Sequence, residues 1–190
     1  MRNRLGEELR EHLAVKAKTL FMQYKWERCL DIGCGPEPYI ERAETCDLTH
    51  KATYQGDYLS FEFEPFDAIW CSHTLEHTRN PGLFLDKIRR DVKPGGVVAI
   101  TVPPYRTEMA GGHIHLGNEF HLVYNMVLAG FDCSRARVGL YGYNISVIVK
   151  RVDAELPPLT MDKGDVKRLA PFFPWPVKDG GDGRLGPVNW

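Results

Sequence analysis

The sequence is poor in the features that mark secreted, membrane-bound or nucleic-acid-binding chains. Its 190 residues include five cysteines (Cys29, Cys34, Cys46, Cys71 and Cys133), an odd number with no CxxC pair. A disulfide framework is therefore not expected, and the thiols read as reduced and partly buried. No apolar run approaches the ~18 residues of a membrane span. The opening stretch MRNRLGEELREH carries charge where a secretory leader needs apolar residues. A cytoplasmic protein without membrane contact is the expectation. Neither sign of charge dominates: 24 Lys and Arg face 25 Asp and Glu, for a net charge of -1. That balance leaves no electrostatic footprint for a nucleic-acid partner. Internal repeats are absent as well.

What is present is an alternation of short apolar runs and helical patterns. Leu5, Leu9, Leu13, Leu20, Phe21 and Tyr24 have helical spacing, which predicts an amphipathic helix over about Leu5 to Tyr24. Arg28 to Ile32 reads as a buried strand that stops at Gly33-Cys34-Gly35. Pro36 and Pro38 suit the first turn of a short helix reaching about Ala43. Thr45 to Leu48 and Thr53 to Asp57 look like two strand ends too close together for a full helix between them. Phe66 to Cys71 is a fourth strand. Asn80-Pro81 opens a helix with Leu83, Phe84, Ile88 and Val92 on one face. Lys93 to Gly96 reads as a turn, and Val97 to Val102 as a fifth strand, apolar throughout as in a covered parallel sheet. Asn118 to Ala129 reads as a helix closed by Gly130. Phe131 to Val138 and Tyr143 to Arg151 read as a hairpin turning at Gly139 to Gly142. The predicted fold is α/β, Rossmann-like and doubly wound, with a mostly parallel seven-stranded sheet and an antiparallel C-terminal hairpin strand. The expected organisation is an N-terminal helix over 1–27, the main domain over 28–153 and a Pro/Gly-rich irregular tail over 154–190.

The strongest chemical signal is Leu30-Asp31-Ile32-Gly33-Cys34-Gly35-Pro36, between a strand and a predicted helix. Two glycines let a ligand approach the backbone, and a helix N-terminus would favour an anionic group. Pro38 stands where a dinucleotide fingerprint needs its third glycine, so a ligand with a carboxylate suits this bend better than a pyrophosphate. Asp47 ends the second strand, where an acid can accept both hydroxyls of a ribose. Asp57 ends the third, where an acid can accept from an adenine amino group. Ser72 and His73 end the fourth. All these positions lie at carboxyl ends of strands, where open α/β sheets bind ligands.

Leu30 to Pro36, Asp47-Leu48, Gly56-Asp57, Phe66 to His77 (with Ser72-His73-Thr74-Leu75-Glu76-His77) and Lys93-Pro94-Gly95-Gly96 together resemble class I S-adenosylmethionine-dependent methyltransferases. The similarity is to the type-11-like small-molecule group, over about residues 28 to 151. It implies a methyltransferase that uses S-adenosylmethionine and a small-molecule acceptor. Asp31, Gly33, Cys34 and Gly35 would hold the methionine part of the cofactor. Asp47 would take the ribose and Asp57 the adenine end, with Leu48 and Tyr58 as apolar walls. Ser72 and His73 would close the pocket. Glu37 stands where the group often has a third small residue, and the abbreviated stretch between the second and third strands opens the adenine side.

Five of the seven histidines lie between His73 and His121. If the acceptor is a hydroxyl, on a sugar or glycan precursor for instance, a base should take its proton, and histidine titrates in the right range. His73, Tyr105, His113 and His115 are the candidate catalytic residues. In this reading His113 or His115 touches the acceptor and His73 shapes the pocket. His113-Ile114-His115 also permits a metal reading with His73 or His121 as third ligand, but no metal is expected. Val102-Pro103-Pro104-Tyr105 mimics a base-methylation motif without its hydrogen-bonding first residue, and it follows the fifth strand instead of the fourth. The alternative to an enzyme is a methyltransferase-like binding module or partner subunit. Phe172, Phe173 and Trp175 in the tail either pack on the domain or cover the acceptor. Oligomeric state stays open.

Overall fold

The computed structural model describes residues 17–106, 111–115 and 117–177. Its centre is one seven-stranded sheet in the order β3-β2-β1-β4-β5-β7-β6. The strands are β1 (Cys29–Ile32), β2 (Glu44–Asp47), β3 (Tyr54–Gln55), β4 (Phe66–Ser72), β5 (Val92–Val102), β6 (Arg137–Tyr141) and β7 (Asn144–Lys150). β1 to β5 pair in parallel, and β7 runs against both β5 and β6. The order doubles back at β1: the chain leaves it outward to β2 and β3, then returns on its other side as β4. Such a reversal opens a crevice at the carboxyl ends of the two central strands.

Side-chain alternation along the strands splits the core in two. Leu30, Ile32, Ile69, Cys71, Val98, Ile100, Val147 and Val149 face one layer. Helices α1 (Pro81–Asp91) and α2 (Glu119–Leu128) cover it through Phe84, Leu85, Ile88, Val123, Met126 and Val127. Cys29, Ala68, Trp70, Val97, Ala99 and Ile148 face the other way, onto Ala17, Phe21, Ile40 and Tyr141. Residues 17–21 are helical but 22–24 form a turn, so the predicted helix ends short of Tyr24; its part before residue 17 lies outside the described residues.

Several expectations need correction. No helix follows the glycine bend: residues 33–43 form turns and bends. Gly35 and Glu37 each precede a proline, which disfavours the α conformation. The Asp31 carboxylate meanwhile takes the backbone N–H of Tyr39 (3.0 Å) and Ile40 (3.3 Å). Lys93 to Gly96 is not a separate turn but an irregularity inside β5. The register with β4 jumps there from Phe66↔Val92 to Ala68↔Val97. Leu83 points to solvent, and Leu85 takes its place on the buried face of α1. The hairpin pairs Tyr141 with Asn144, so its turn is Gly142-Tyr143. Gly142 has φ +54°, a conformation that suits a residue without Cβ. In the tail, α3 (Gly164–Arg168) is followed by a short 3-10 turn. The Phe173 ring stacks on Phe120 of α2 at 5.1 Å and is buried in the larger core layer.

One polar network sits inside that layer. Lys87 Nζ lies 3.0 Å from Asp91 Oδ2, and the Tyr58 hydroxyl donates to the same oxygen at 2.6 Å. All three residues are buried. Removing one member of a buried pair strands the other charge in a poor solvent. Asp91→Ala should therefore lower stability by about 3–5 kcal/mol, whereas Tyr58→Phe should cost about 1.5 kcal/mol. Urea denaturation of both variants checks the order; equal, small losses would contradict it.

Candidate active site

The crevice at the β1/β4 reversal is a cleft of ≈ 240 Å³. Asp31, Gly33 and Cys34 line it from the end of β1, Trp70, Ser72 and His73 from the end of β4, and Thr101 from β5. Tyr141 and Asn144 close it from the hairpin, with Ala17, Glu37 and Tyr39 across the mouth. Gly33 has φ +70° and Gly35 φ +65°. A Cβ on Gly33 would lie 1.9 Å from Thr74 Oγ1, so the bend can approach β4 only because that position is glycine. A Cβ on Gly35 would meet nothing within 4 Å, which leaves the bend's outer side open.

Two carboxylates hold this bend by opposite means. Asp31 is 2 % exposed, and burial pushes its pKa up to about 6, against the two backbone N–H donors that favour its charge. Asp47 is also buried, but several donors converge on its oxygens. Oδ2 accepts from Gly35 N (2.9 Å), and Oδ1 from Thr49 N (2.9 Å) and His50 N (2.7 Å). Burial works against its charge, yet these donors and the His50 ring prevail and hold its pKa at about 2.

His73 occupies the opposite wall with φ +53°, a strained backbone for a residue with a side chain. Its N–H donates to Thr101 O at 2.8 Å. Ring atom Nδ1 lies 3.2 Å from Glu76 Oε1, and Nε2 lies 2.7 Å from Asn144 Oδ1. Both ring nitrogens thus face acceptors, the arrangement of an imidazolium. Burial opposes that charge, but the bonds to Glu76 and Asn144 and the charge of Glu76 outweigh it and raise the pKa above the ordinary histidine value.

The structure brings together Asp31, Gly33, Cys34, Ser72 and His73 of the sequence candidates, and it ties Gly35 to them through Asp47. The others lie elsewhere. Leu48 is 69 % exposed. Asp57 is exposed and caps a 3-10 turn by accepting from Leu59 N (3.0 Å). Tyr58 is turned into the core by its bond to Asp91. Tyr105 is exposed, with its N–H on Gly117 O. His113 packs its ring edge against His77 at 4.9 Å. His115 reaches Arg79 O at 3.3 Å and lines a second cavity, between α1 and α2. Neither borders the β1/β4 cleft, and no tail residue does among those described.

Sequence reasoning passed over Trp70, Tyr39, Thr101, Tyr141 and Asn144. Trp70 matters most: it is 2 % exposed, and its Nε1–H has no hydrogen-bond partner among the described residues. A tryptophan one residue before the end of a predicted central strand was the available signal. Tyr39 stacks on its ring at 5.7 Å.

A family profile described as a methyltransferase domain matches residues 2–127. The chain belongs to this methyltransferase family. It is a class I S-adenosylmethionine-dependent enzyme. Among solved structures it is similar to the 1,6-didemethyltoxoflavin-N1-methyltransferase of Burkholderia thailandensis, with bound 1,6-didemethyltoxoflavin and S-adenosylhomocysteine. The match has 16 % identity and a TM-score of 0.60, over 73 % of this chain and 77 % of that one. The N-methyltransferase NodS of Bradyrhizobium japonicum matches with 16 % identity and a TM-score of 0.54, over 82 % and 100 %. The mitomycin 7-O-methyltransferase MmcR matches with 13 % identity and a TM-score of 0.54, over 73 % and 53 %. No helix among the described residues is long and apolar enough to cross a membrane.

The Asp47 clamp on this methyltransferase's glycine bend has a measurable signature. A depressed carboxylate pKa stabilises the fold above the unfolded-state value of about 4, and the contribution disappears as pH falls through about 2. Asp47→Asn should cost about 2 kcal/mol at neutral pH. The gap to the wild type should close on acidification. Urea melts at pH 7 and pH 3 test this, and a gap that stayed constant would refute the clamp.

Proposed function

We propose that this enzyme moves the methyl group of S-adenosylmethionine to a hydroxyl of a small, sugar-like acceptor. The observation that carries the reading is the convergence of buried Asp31, the glycine bend at Gly33 and the doubly bonded His73 on one cleft. The first two suit an amino-acid group: Asp31 accepts from its ammonium, and the glycine bend lets it approach the backbone. Gly33 and Cys34 supply the close backbone wall. Asp47 serves this end indirectly, by fixing Gly35. The nucleoside end is more open, because Leu48 and Asp57 stand on the surface. When bound, the cofactor supplies an electrophilic methyl; the protein's task is to align an acceptor with it and exclude competing geometries.

The acceptor side is polar. Ser72, His73, Thr101 and Asn144 offer hydrogen bonds, Tyr143 stacks against His73, and the Arg106 guanidinium lies over the Tyr143 ring at 4.2 Å. Mixed aromatic and hydrogen-bonding walls suit a polyhydroxyl molecule. Deprotonated at Nε2, His73 keeps its Nδ1–H on Glu76 and can receive the acceptor's hydroxyl proton once that hydroxyl replaces Asn144 at Nε2. The fold alone does not select the atom, since N- and O-methyltransferases both share it.

Two measurements test the reading. Affinity for S-adenosylhomocysteine should rise as pH increases through about 6, where Asp31 ionises and can pair with the ammonium group. Asp31→Asn should flatten that profile and weaken binding by roughly tenfold or more. Equal affinities on both sides of the transition would remove Asp31 from the site. Turnover on a panel of sugars and sugar phosphates should show a rising limb above the ordinary histidine pKa. His73→Ala should abolish the limb and lower turnover by about 10²-fold or more, with product affinity changed only a few-fold. A methylamine product in place of a methyl ether, or unchanged turnover in His73→Ala, would overturn the acceptor and base assignments respectively.

A further inference from the structure

Behind the cleft wall, Glu76 faces a second group of side chains. It belongs to the 3-10 turn Leu75–His77, against which the loop after β5 is pinned: the N–H groups of Ile114 and His115 both donate to Glu76 O, at 2.8 and 3.1 Å. This backbone pairing brings His113 beside His77, ring edge to ring face. The His77 Nδ1 lies 2.9 Å from Gly112 O, a bond that places its proton on Nδ1 and leaves the Nε2 lone pair free. Nε2 lies 3.9 Å from Glu76 Oε1, too far for a hydrogen bond.

Two atoms of this group are orphans. Glu76 is 1 % exposed, and its Oε2 has no hydrogen-bond partner among the described residues; neither has the buried Nδ1 of His113. An ionised carboxylate oxygen without a donor is costly in a protein interior, and so is a ring nitrogen shielded from water. A hydrogen-bonded network would satisfy these atoms, but the distances do not permit one. A cation would satisfy both together. One ligand atom from each of Glu76, His77 and His113 lies within 4.8 Å of the other two.

The geometry points to a divalent transition-cation site formed by Glu76, His77 and His113. Two imidazole nitrogens and one carboxylate oxygen, with a coordination position left over, is a donor set that suits Zn²⁺. Bonds of about 2.0–2.2 Å in a tetrahedron put ligand atoms roughly 3.4 Å apart, so the side chains must close inward by about 1 Å. His77 is exposed and His113 half-buried, which leaves them room to do so. The Gly112 carbonyl on His77 Nδ1 is the outer partner that metal-bound imidazoles use to fix their tautomer. The Glu76 carboxylate also bonds His73, so the cation would lie directly behind the wall of the methyl-transfer cleft.

The test uses the full chain, stripped of metal and free of cofactor, so its result does not depend on methyl transfer. Calorimetric titration with ZnCl₂ should show one equivalent bound. Titration with CoCl₂ should give the visible absorption of cobalt in a low-coordinate imidazole site. His113→Ala and Glu76→Gln should each weaken Zn²⁺ binding by roughly tenfold or more, while His115→Ala should leave it unchanged. If the buried Glu76→Gln variant does not fold, the loop variant His113→Ala decides alone. Absence of saturable one-equivalent binding, wild-type affinity in His113→Ala, or an equal loss in His115→Ala would overturn the site.

Discussion

The buried Asp31 carboxylate is the constraint around which the cleft is arranged. It lies on β1 inside the protein and accepts, in the stretch that follows, backbone donors that a helix N-terminus would otherwise present. Two prolines keep the chain out of the α conformation, and Asp31 captures the amides of Tyr39 and Ile40 that a first helical turn would have left unpaired. The same capture lays Tyr39 across Trp70 and so builds one side of the cleft. A carboxylate placed this deep is poised near neutrality between charged and neutral forms. That state suits a group whose partner is a cationic ligand.

Asp47 shows the complementary solution. It is also shielded from water, but a ring of backbone donors makes its negative charge the stable form and turns it into a structural rivet. The two acids differ in how many N–H groups converge on them, and that number decides which of them remains responsive to a ligand. His73 extends the logic to the far wall. Its strained backbone, its bonds to Glu76 and Asn144, and its contact with Tyr143 fix the ring in one orientation beside the cofactor cleft. Glu76 then joins the cleft to the His77 and His113 cluster behind it, so one buried acid serves two neighbourhoods.

The fold was legible because its signals are local and periodic. Apolar runs ending at Gly33, at Asp47 and at Ser72, together with the Asn80-Pro81 and Asn118 starts, located strands and helices from properties of adjacent residues. Local signals also misled. The prolines at 36 and 38 are compatible with a helix start in isolation, and only the competing pull of Asp31 shows why none forms. Leu83 satisfies helical spacing as well as Leu85 does, and the packing of α1 on the sheet chose between them. Tyr58 follows an acid at a strand end and reads as a pocket wall, yet the buried Lys87–Asp91 pair claims its hydroxyl from 33 residues away.

The amino-acid order by itself determined the α/β alternation, the glycine bend and the acids at strand ends, because each depends on backbone preferences and on spacing within a few residues. Only the tertiary structure decided which of those acids is buried, that Trp70 stands in the cleft wall, and that His113 belongs with Glu76 and His77 instead of with the cleft. Burial and convergence are properties of distant segments meeting. No local pattern records how many donors will surround a carboxylate once the sheet has closed.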